Sequence, residues 1–502
     1  MKRSRTLMLA LGVAAPLAGC QPGDFQDLAK QAPVVAVGST SPFPSETFGA
    51  VLGSYQVAFP DGTGATFPVS RIAVGTGMLQ LSATQVDGIV ASYSGWKGGS
   101  LDLGRKIFAR CSGTTFGCPP DTSFSIAGLP SIGGELGCVL AGAPGAFAGS
   151  TGSYVTAACE TSRAVHVVAS AEPPDGLGTS VAAFPSATSY GVAIAGAPSR
   201  GTSGALVVIP DDLVPDPTAP EITQESLGLQ GALAGFGGAL AATALPASQT
   251  LTALGSPVVV AASTGDASGA TRVVVFALGT RDVGGASTTL AEALGCLDFP
   301  ATGGEGTVLA LGDVQGDALP DLVIGARADV SGRSSQVRIL DLGALGATGL
   351  RPGCGAADSS DDPATTVVAC TDSAGGSTIA CANGGFGSSL AIGDANGDGK
   401  GDLLVGAPYT VVDGRANAGA AYLLPGGTTL GESVVLVTSA PHTNDTLGLS
   451  VTFLPSQIGP GQMPRAEPVA GAPGHGAIFV FLCSGLEGDT PTSDAPRCIV
   501  QN

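Results

Sequence analysis

Short apolar runs recur along the whole chain, and seven of them end in Gly-Ala-Pro or a related turn. The turn residues stand at positions 75, 142, 196, 262, 325, 406 and 471. Successive turns are separated by 67, 54, 66, 63, 81 and 65 residues, which is a near-constant period. Self-similarity at a fixed period indicates one structural unit that is repeated along the chain.

Each repeat has an apolar strand before the turn and another after it. The predicted first strands are 51–59, 124–129, 179–184, 240–245, 308–312, 389–393 and 449–454. The predicted third strands are 88–93, 164–170, 205–209, 272–278, 336–340, 420–424 and 477–482. Fourth strands are weaker, and 433–438 is the clearest. Four short strands per repeat predict an all-β fold, a seven-bladed β-propeller of four-stranded blades, rather than a sandwich, which would lack the fixed period.

The last repeat lacks a fourth strand of its own. Only residues 485–502 follow it, and turn-forming residues dominate them. A strand from the other end of the chain would have to complete the blade, and the apolar segment 33–37 is the candidate. We therefore expect a propeller over 33–484, closed by an N-terminal strand, and a C-terminal tail over 485–502 that a disulfide holds in place.

An oxygen-rich loop separates the first two strands of the sixth repeat. Side chains with oxygen ligands recur at alternate positions, and Gly399 allows a sharp turn, as a calcium loop requires. The loop is not an EF-hand, because position twelve is Val405 instead of Glu and the flanks are strand-like. A solvated turn is the alternative. The predicted calcium ligands are Asp394, Asn396, Asp398, Asp402 and the backbone carbonyl of Lys400, whose ammonium group is expected to point away.

The fifth repeat keeps this frame in a degenerate form. Gln315 replaces the shorter Asn396, and Ala318 stands where the better copy has Gly399. The predicted ligands of a second calcium ion are Asp313, Gln315, Asp317, Asp321 and the backbone carbonyl of Leu319. A degenerate hairpin without an ion is the alternative. Both ions are expected to be structural, and neither site offers an evident open position for a substrate.

The segment 386–408 resembles the FG-GAP repeat, the blade unit of the seven-bladed propeller of integrin alpha subunits and of many bacterial surface proteins. Phe386-Gly387 and Gly406-Ala407-Pro408 are the pairs that carry the resemblance. It implies an integrin-alpha-like blade whose first two strands are joined by the calcium hairpin.

The N-terminus has the features of a secretory signal. Three basic residues precede an apolar run that ends in Leu17-Ala18-Gly19-Cys20. This ending resembles a bacterial lipobox, which implies a signal peptide over 1–19, lipidation of Cys20 and a tether over 20–32; ordinary cleavage is the alternative. Gln21 instead of Asp implies the outer membrane of a bacterial cell envelope. The net charge of −19 becomes −22 without residues 1–19, so nucleic acid is not an expected partner.

Ten cysteines remain besides Cys20, an even number that suits an oxidising compartment. They fall in neighbouring pairs, which predicts five local disulfides. A cysteine metal cluster is less plausible, because the chain has no CxxC motif and only three histidines. The expected pairs are Cys111–Cys118, Cys138–Cys159, Cys296–Cys354, Cys370–Cys381 and Cys483–Cys498.

The sequence contains none of the common catalytic motifs HExxH, GxSxG or GxxxxGK. His475 follows a blade turn, where a ligand-facing residue can lie, but a solvated loop residue is the simpler interpretation. The leading hypothesis is a calcium-binding, non-enzymatic surface module that adheres to a protein or glycan and reaches the membrane through its lipid. The alternatives are a hydrolase or lyase with its active site at the propeller axis, and a subunit of an envelope assembly.

Overall fold

The protein is described from a computed structural model. The described residues are 34–38, 48–60, 66–76, 79–82, 85–97, 100–112, 125–132, 135–144, 153–159, 165–169, 175–188, 191–211, 221–229, 231, 233–245, 252, 254–265, 271–283, 286–299, 305–326, 336–343, 355–356, 365–370, 379–380, 384–428, 430, 433–438, 440–455 and 465–481. The predicted signal peptide, tether and C-terminal tail lie outside them, as do Cys20 and the starting residue of the predicted N-terminal strand.

The described chain is built from short β-strands that pair mainly in antiparallel sheets of four or five. Each sheet is called here by its first strand. The β2 sheet contains β2 (Phe48–Pro60), β3 (Thr66–Thr76), β4 (Leu79–Ser82), β5 (Gln85–Lys97) and β6 (Ser100–Ser112). The β7 sheet contains β7 (Ser125–Ile132), β8 (Glu135–Ala143), β9 (Tyr154–Cys159) and β10 (Val165–Ala169). The β11 sheet contains β11 (Val181–Thr188), β12 (Gly191–Ala197), β13 (Ala205–Ile209) and β14 (Glu221–Ile222).

The later sheets follow the same plan. The β15 sheet contains β15 (Leu240–Ala244), β16 (Gly255–Gly265), β17 (Thr271–Val283) and β18 (Ala286–Phe299), and β22 (Gly355–Ala356) joins it parallel to β18. The β19 sheet contains β19 (Glu305–Gly312), β20 (Asp321–Ala326), β21 (Gln336–Asp341) and β23 (Thr365–Ala369). The β25 sheet contains β25 (Ser389–Gly393), β26 (Asp402–Ala407), β28 (Ala420–Leu424) and β29 (Val434–Leu436). A small ribbon pairs β24 (Ile379–Ala380) with β27 (Val411–Val412).

The β30 sheet joins the two ends of the described chain. It contains β30 (Ser450–Pro455), β31 (Ala466–Ala472), β32 (Ala477–Phe481) and the N-terminal strand β1 (Val34–Gly38). β1 runs antiparallel to β32, from Val34 opposite Phe481 to Gly38 opposite Ala477. β1 overlaps the apolar segment 33–37.

Neighbouring sheets contact each other through their first strands. These contacts join β2 to β7, β7 to β11, β11 to β15, β15 to β19, β19 to β25 and β25 to β30, and β30 in turn contacts β2. Sheets that radiate from a ring of first strands are the blades of a β-propeller. The chain is thus an all-β propeller with four-stranded blades.

Second strands lie in the most crowded part of each blade. Every residue of β12, β20, β26 and β31 is buried, because other blades cover both faces of the sheet. Such strands read as continuous apolar runs, without the alternation of a half-exposed strand. This packing explains why the turn-ending runs were the clearest signal in the sequence.

Glycine in the Gly-Ala-Pro turn is required by the neighbouring blade. A β-carbon on Gly406 would lie 2.0 Å from the carbonyl oxygen of Gly448, which precedes β30. The hydroxyl of Ser389 donates to the same carbonyl at 2.8 Å. The same clash recurs at 2.0 Å between Gly142 and Gly178, Gly196 and Gly237, and Gly471 and Gly49. The turn glycine is therefore part of the joint between blades.

Two predictions about the strands need correction. The segment predicted as a third strand over 164–170 is the fourth strand β10, and β9 takes the third place. β9 was missed because the apolar run of β10 follows it closely and was assigned to the third place instead. The long fourth strand β18 was also not predicted, because its sequence mixes polar residues with apolar ones at helix-like spacing.

The disulfide predicted between Cys138 and Cys159 is confirmed. The two residues face each other across β8 and β9, so the bond links adjacent strands of one blade. Cys296 and Cys370 are also disulfide-bonded, while their predicted partners Cys354 and Cys381 lie outside the described residues. The pairs Cys111–Cys118 and Cys483–Cys498 each include at least one such residue and stay predictions. In the described part of the chain, none of the helices is long and apolar enough to cross a membrane.

Candidate functional site

The loop between β25 and β26 folds around the carboxylate of Asp394. One oxygen of this carboxylate, Oδ1, accepts the backbone N–H groups of Gly397 at 2.6 Å and Asp398 at 3.2 Å. The other oxygen, Oδ2, accepts the N–H of Gly399 at 2.9 Å. Short polar side chains that accept bonds from residues just ahead of them form tight turns. The alternating Asp and Asn residues thus shape the loop before any ion is considered.

Asp402 anchors this loop from inside the blade. Its side chain is buried, and its Oδ2 accepts the N–H groups of Ala395 at 2.8 Å and Asn396 at 3.3 Å. Its Oδ1 accepts the N–H of Gly426 at 2.8 Å, in the segment after β28. One carboxylate therefore ties the loop to the third strand of the blade.

The loop between β19 and β20 repeats this pattern of bonds. Asp313 accepts the N–H groups of Gly316, Asp317 and Ala318 at 2.6, 3.1 and 2.9 Å. Asp321 Oδ2 accepts the N–H groups of residues 314 and 315, both at 2.8 Å. The degenerate copy predicted from the sequence therefore has the same backbone frame as the better one.

The two loops differ at the buried carboxylate. Asp321 Oδ1 is buried and has no hydrogen-bond partner among the described residues. In the β25 blade, the equivalent oxygen of Asp402 accepts the N–H of Gly426. In the β19 blade, the N–H of Gly343 donates at 2.7 Å to Asp341, a nearby acid that the sequence analysis did not single out. Compared with the β25 loop, the β19 loop thus has one more carboxylate nearby, that of Asp341, and one buried carboxylate oxygen, Asp321 Oδ1, without a hydrogen-bond partner among the described residues.

Both buried carboxylates are hard to ionise without a cation. Burial raises the pKa of Asp402 to about 6, against the backbone hydrogen bonds that lower it. Burial raises the pKa of Asp321 to about 7, and the negative charges of Asp341 and Asp317 contribute to the increase. A proton or a bound cation would relieve this cost.

Basic side chains lie across both loops. A β-carbon on Gly316 would lie 2.8 Å from Cδ of Lys400, and one on Gly397 would lie 2.9 Å from Nε of Arg465. The Lys400 ammonium group lies 3.7 Å from Oδ2 of Asp398. The expectation that this ammonium points away from the loop is wrong, because the lysine stem crosses the neighbouring loop and leaves the charge beside Asp398.

Backbone hydrogen bonds join the two loops to each other and to the next blade. The N–H of Gly401 donates to the carbonyl of Asp313 at 2.8 Å, and the N–H of Gly427 donates to Val314 at 2.8 Å. The N–H of Ala466, where β31 begins, donates to the carbonyl of Asp394 at 2.7 Å. The loops therefore form one continuous edge across three blades, which is called the loop edge below.

The donor set of these loops suits a hard cation. Calcium takes six to eight oxygen ligands from carboxylates, amide oxygens and backbone carbonyls. A carboxylate offers about four lone-pair sites. Backbone N–H groups of the loop use three of them on Asp394 and one on Asp398. All ten predicted ligand residues belong to these two loops, and the buried oxygen Oδ1 of Asp321, which has no hydrogen-bond partner among the described residues, is of the type that a hard cation takes. When bound, calcium would supply positive charge at the centre of each loop.

A second group of potential ligands was not predicted. His442, Asp445 and His475 bring their ligand atoms within 4.8 Å of one another. Within the part of the chain that the structure describes, it is the group of three or more His, Cys, Asp or Glu side chains that is close enough to hold a metal ion. His475 is an exposed residue of the turn between β31 and β32, as expected, and its Nδ1 also lies 3.3 Å from Oδ1 of Asp445. Superposing the sequences of the repeats would have placed Asp445 just before a first strand and His475 just after a turn.

Comparison with known proteins supports the repeat assignment. Residues 386–424 match the FG-GAP repeat family. With the blades described above, this identifies the chain as a β-propeller that contains an FG-GAP repeat. No curated protein matches the chain.

The solved structures that match are only weakly similar. A variant ACO/RPE65 chimera in a monoclinic crystal form has 10% sequence identity and a TM-score of 0.25, covering 78% of this chain and 64% of its own. Another ACO/RPE65 chimera has 10% identity and a TM-score of 0.28, covering 81% and 65%. Cobalt-substituted Synechocystis ACO has 10% identity and a TM-score of 0.26, covering 78% and 64%. The chain thus spans slightly less than two thirds of the length of these proteins, and the likenesses are too weak to indicate a shared activity.

Proposed function

We propose that the protein is a calcium-stabilised, seven-bladed β-propeller that is lipid-anchored through Cys20 to the bacterial outer membrane and presents a binding or adhesion surface to a protein or glycan. The observation that carries the proposal is the pair of oxygen-rich loops with nearly the same hydrogen bonds. Both loops hold an acid at the first position that folds the turn, and a buried acid at the ninth that anchors it.

Seven blades and an N-terminal closing strand are supported by the repeat and by the strand contacts. The sequence has seven turns at a near-constant period. The first strands contact one another in chain order, and β30 returns to β2. The hydroxyl of Ser450 donates to the carbonyl of Gly49 at 2.7 Å across a separation of 401 residues. Pairing of β1 with β32 would lock the same joint, because each end of the propeller then holds the other.

The position of β1 suggests which edge of the anchored propeller faces the membrane. β31 begins beside Asp394 at the loop edge, and β32 returns to that edge at Phe481. Val34 pairs with Phe481, so β1 begins at the loop edge and runs away from it. A lipid on Cys20 would therefore hold the loop edge toward the membrane. The opposite edge, which carries the turns after the second strands, would face outward and meet the partner.

Calcium is proposed to stiffen the edge nearest the membrane. Extracellular calcium modules bind with a Kd of about 10⁻⁴ to 10⁻³ M, so a few millimolar calcium would stabilise each site by about 1–2 kcal/mol. In this view the ions hold the blades in register, and the outward loops recognise the partner. A rigid scaffold that displays loops is the usual arrangement for binding on repeat folds.

The first test is calcium-dependent stability of the mature chain. Millimolar calcium is expected to raise the unfolding midpoint, and Asp398→Ala is expected to remove about half of that gain. Asp398 suits the test because its side chain is 36% exposed, so its loss does not open the core. Asp317→Ala is the matched variant in the β19 loop, and the double variant should respond to calcium no more than to magnesium. An unchanged response in the double variant would exclude these loops as the calcium sites.

The second test addresses the partner. The mature protein is immobilised through its N-terminus and exposed to a glycan array and to cell-surface protein, in calcium and in chelator. Saturable capture that weakens in chelator would support a calcium-stabilised binding module. Turnover of an array glycan, without saturable capture, would instead favour the enzyme hypothesis.

A further inference from the structure

Two of the three histidines in the chain meet at the edge opposite the loop edge. His475 lies in the turn between β31 and β32, and His442 precedes β30. Ser450 at the start of β30 pairs with Gly471 near the end of β31, so both segments lie at that edge. In the proposed orientation this edge faces away from the membrane.

The three side chains converge on one carboxylate. Nδ1 of His475 lies 3.3 Å from Oδ1 of Asp445, and Nδ1 of His442 lies 3.5 Å from Oδ2. The centroids of the two imidazole rings are 5.5 Å apart. Ligands at about 2.0–2.1 Å from a tetrahedral zinc ion lie roughly 3.3 Å from one another. Small rotations of the two imidazoles would bring the group to that geometry.

The backbone holds Asp445 firmly, while one histidine is free to adjust. The carbonyl of Asp445 accepts the N–H of Gly474 at 3.1 Å, and its Oδ2 accepts the N–H of His442 at 2.7 Å. Its side chain is 5% exposed, against 34% for His475 and 66% for His442. The ring of His475 also packs edge-on against Phe479 at 5.6 Å. A buried acid with two more exposed imidazoles is open to solvent on one side.

In the β11 blade, Arg200 stands at the turn position that His475 has in the β30 blade. Its turn reads Gly196-Ala197-Pro198-Ser199-Arg200, and the β30 blade reads Gly471-Ala472-Pro473-Gly474-His475. The N–H of Ser199 donates to the carbonyl of Asp175 at 2.9 Å, as that of Gly474 does to Asp445. Asp175 is buried against Arg200, whose guanidinium also contacts Glu221.

The two corners differ in the charge that faces the buried acid. Arg200 is permanently cationic, so Asp175 faces a fixed positive charge. Asp445 instead faces two imidazole nitrogens, which can act as metal ligands. A divalent cation between Asp445 and the imidazoles would supply positive charge beside this acid, as Arg200 does beside Asp175.

We propose that His442, Asp445 and His475 form a site for a borderline divalent transition metal, with Zn²⁺ as the representative ion. Imidazole with carboxylate suits zinc, nickel or copper, whereas calcium prefers oxygen ligands alone. The three protein ligands leave one position toward solvent, where a donor from a ligand or partner can complete the coordination. This site is separate in chemistry and in location from the calcium loops and does not depend on them.

The test is zinc binding to the untagged mature chain in excess calcium, which keeps the oxygen-rich loops occupied. A competing chromogenic chelator should report one zinc equivalent per chain, and Co²⁺ in its place should give the visible absorption of a low-coordinate site. His442→Ala and His475→Arg should each weaken binding by at least about 100-fold, because loss of a ligand exceeds loss of an outer-shell partner.

The control variants separate this site from the calcium proposal. His475→Arg copies the Asp175–Arg200 corner, so it should lose zinc while its thermal midpoint in chelator is maintained. Asp398→Ala should keep full zinc affinity. The proposal fails if no equivalent binds, if both histidine variants bind like the original, or if Asp398→Ala loses zinc. Calcium stabilisation is read separately in the same variants, so either result can fail alone.

Discussion

The β19 and β25 loops have the same fold but differ in how well their charges are satisfied. In the β25 loop, the buried Asp402 uses both oxygens in hydrogen bonds. In the β19 loop, Asp321 leaves one oxygen unpaired, and Asp341 adds a further negative charge. The two loops therefore share a backbone frame, but they differ in how completely the buried carboxylate is satisfied by hydrogen bonds.

This difference suggests separate roles for protein bonds and for the ion. Bonds from backbone N–H groups are enough to shape the β25 loop, and a cation would only add to them. In the β19 loop, the buried oxygen Oδ1 of Asp321 has no hydrogen-bond partner among the described residues, so a cation or a proton has to stabilise it. We therefore expect the β19 loop to depend more on its ion, although its sequence departs further from the repeat pattern.

The largest effect should come from removing the buried carboxylate of the better loop. In chelator, Asp402→Ala leaves the N–H groups of Ala395, Asn396 and Gly426 without their acceptor and is expected to destabilise the protein by about 3–5 kcal/mol. Asp321→Ala removes an acceptor of two N–H groups together with an unpaired charge, so its cost should be about 1–2 kcal/mol. Urea unfolding measures both values. Equal costs for the two variants would contradict the comparison.

The next effect is the pH dependence of the metal-free protein. The folded pKa values of about 7 for Asp321 and about 6 for Asp402 lie above the value of about 3.9 in unfolded chains. The folded protein thus binds more protons, so stability is greatest at low pH and is lost as the pH rises through 6 and 7. Between pH 5 and 8 the loss from these two groups together should be on the order of 4 kcal/mol.

Asp341→Asn is the matched control for this slope. An amide removes the negative charge that raises the pKa of Asp321, and its oxygen can still accept the N–H of Gly343. Urea unfolding in chelator at several pH values should therefore give a shallower decline for this variant. A decline as steep as that of the original protein would show that the charge of Asp341 does not contribute to the raised pKa of Asp321.

Much of the fold could be predicted because the repeat determines it locally. At five of the seven turns a β-carbon on the turn glycine would clash with a carbonyl oxygen of the next blade, so glycine recurs there in the sequence: Gly142, Gly196, Gly325, Gly406 and Gly471. The second strands are buried on both faces and appear as unbroken apolar runs. The fourth strands were harder, since β18 carries a mixed pattern and β14 has two residues.

The candidate sites divide in the same way. The ten predicted calcium ligands lie within two short segments, so a local pattern in the sequence was enough to single them out. His442 and His475 meet only because β30 and β31 form a hairpin between them, and no local pattern reports that contact. The direction of the Lys400 side chain also depends on another blade, because its stem lies against Gly316. For these side chains, the contacts that sequence reasoning missed are those between distant segments.

The smallest expected effect comes from exchanging one residue between the two loops. Ala318 has a φ of 69° and Gly399 a φ of 85°, and both donate their N–H to the first acid of the loop at 2.9 Å. A left-handed conformation costs a residue with a β-carbon roughly 1 kcal/mol, so Ala318→Gly should stabilise the protein by about 0.5–1 kcal/mol in chelator. Gly399→Ala should destabilise it by a similar amount, since a β-carbon there meets no atom within 4 Å and only the backbone strain remains. Urea midpoints for both variants and the double exchange measure the difference. If both single variants shift the midpoint in the same direction, the loops do not share the backbone frame on which the comparison depends.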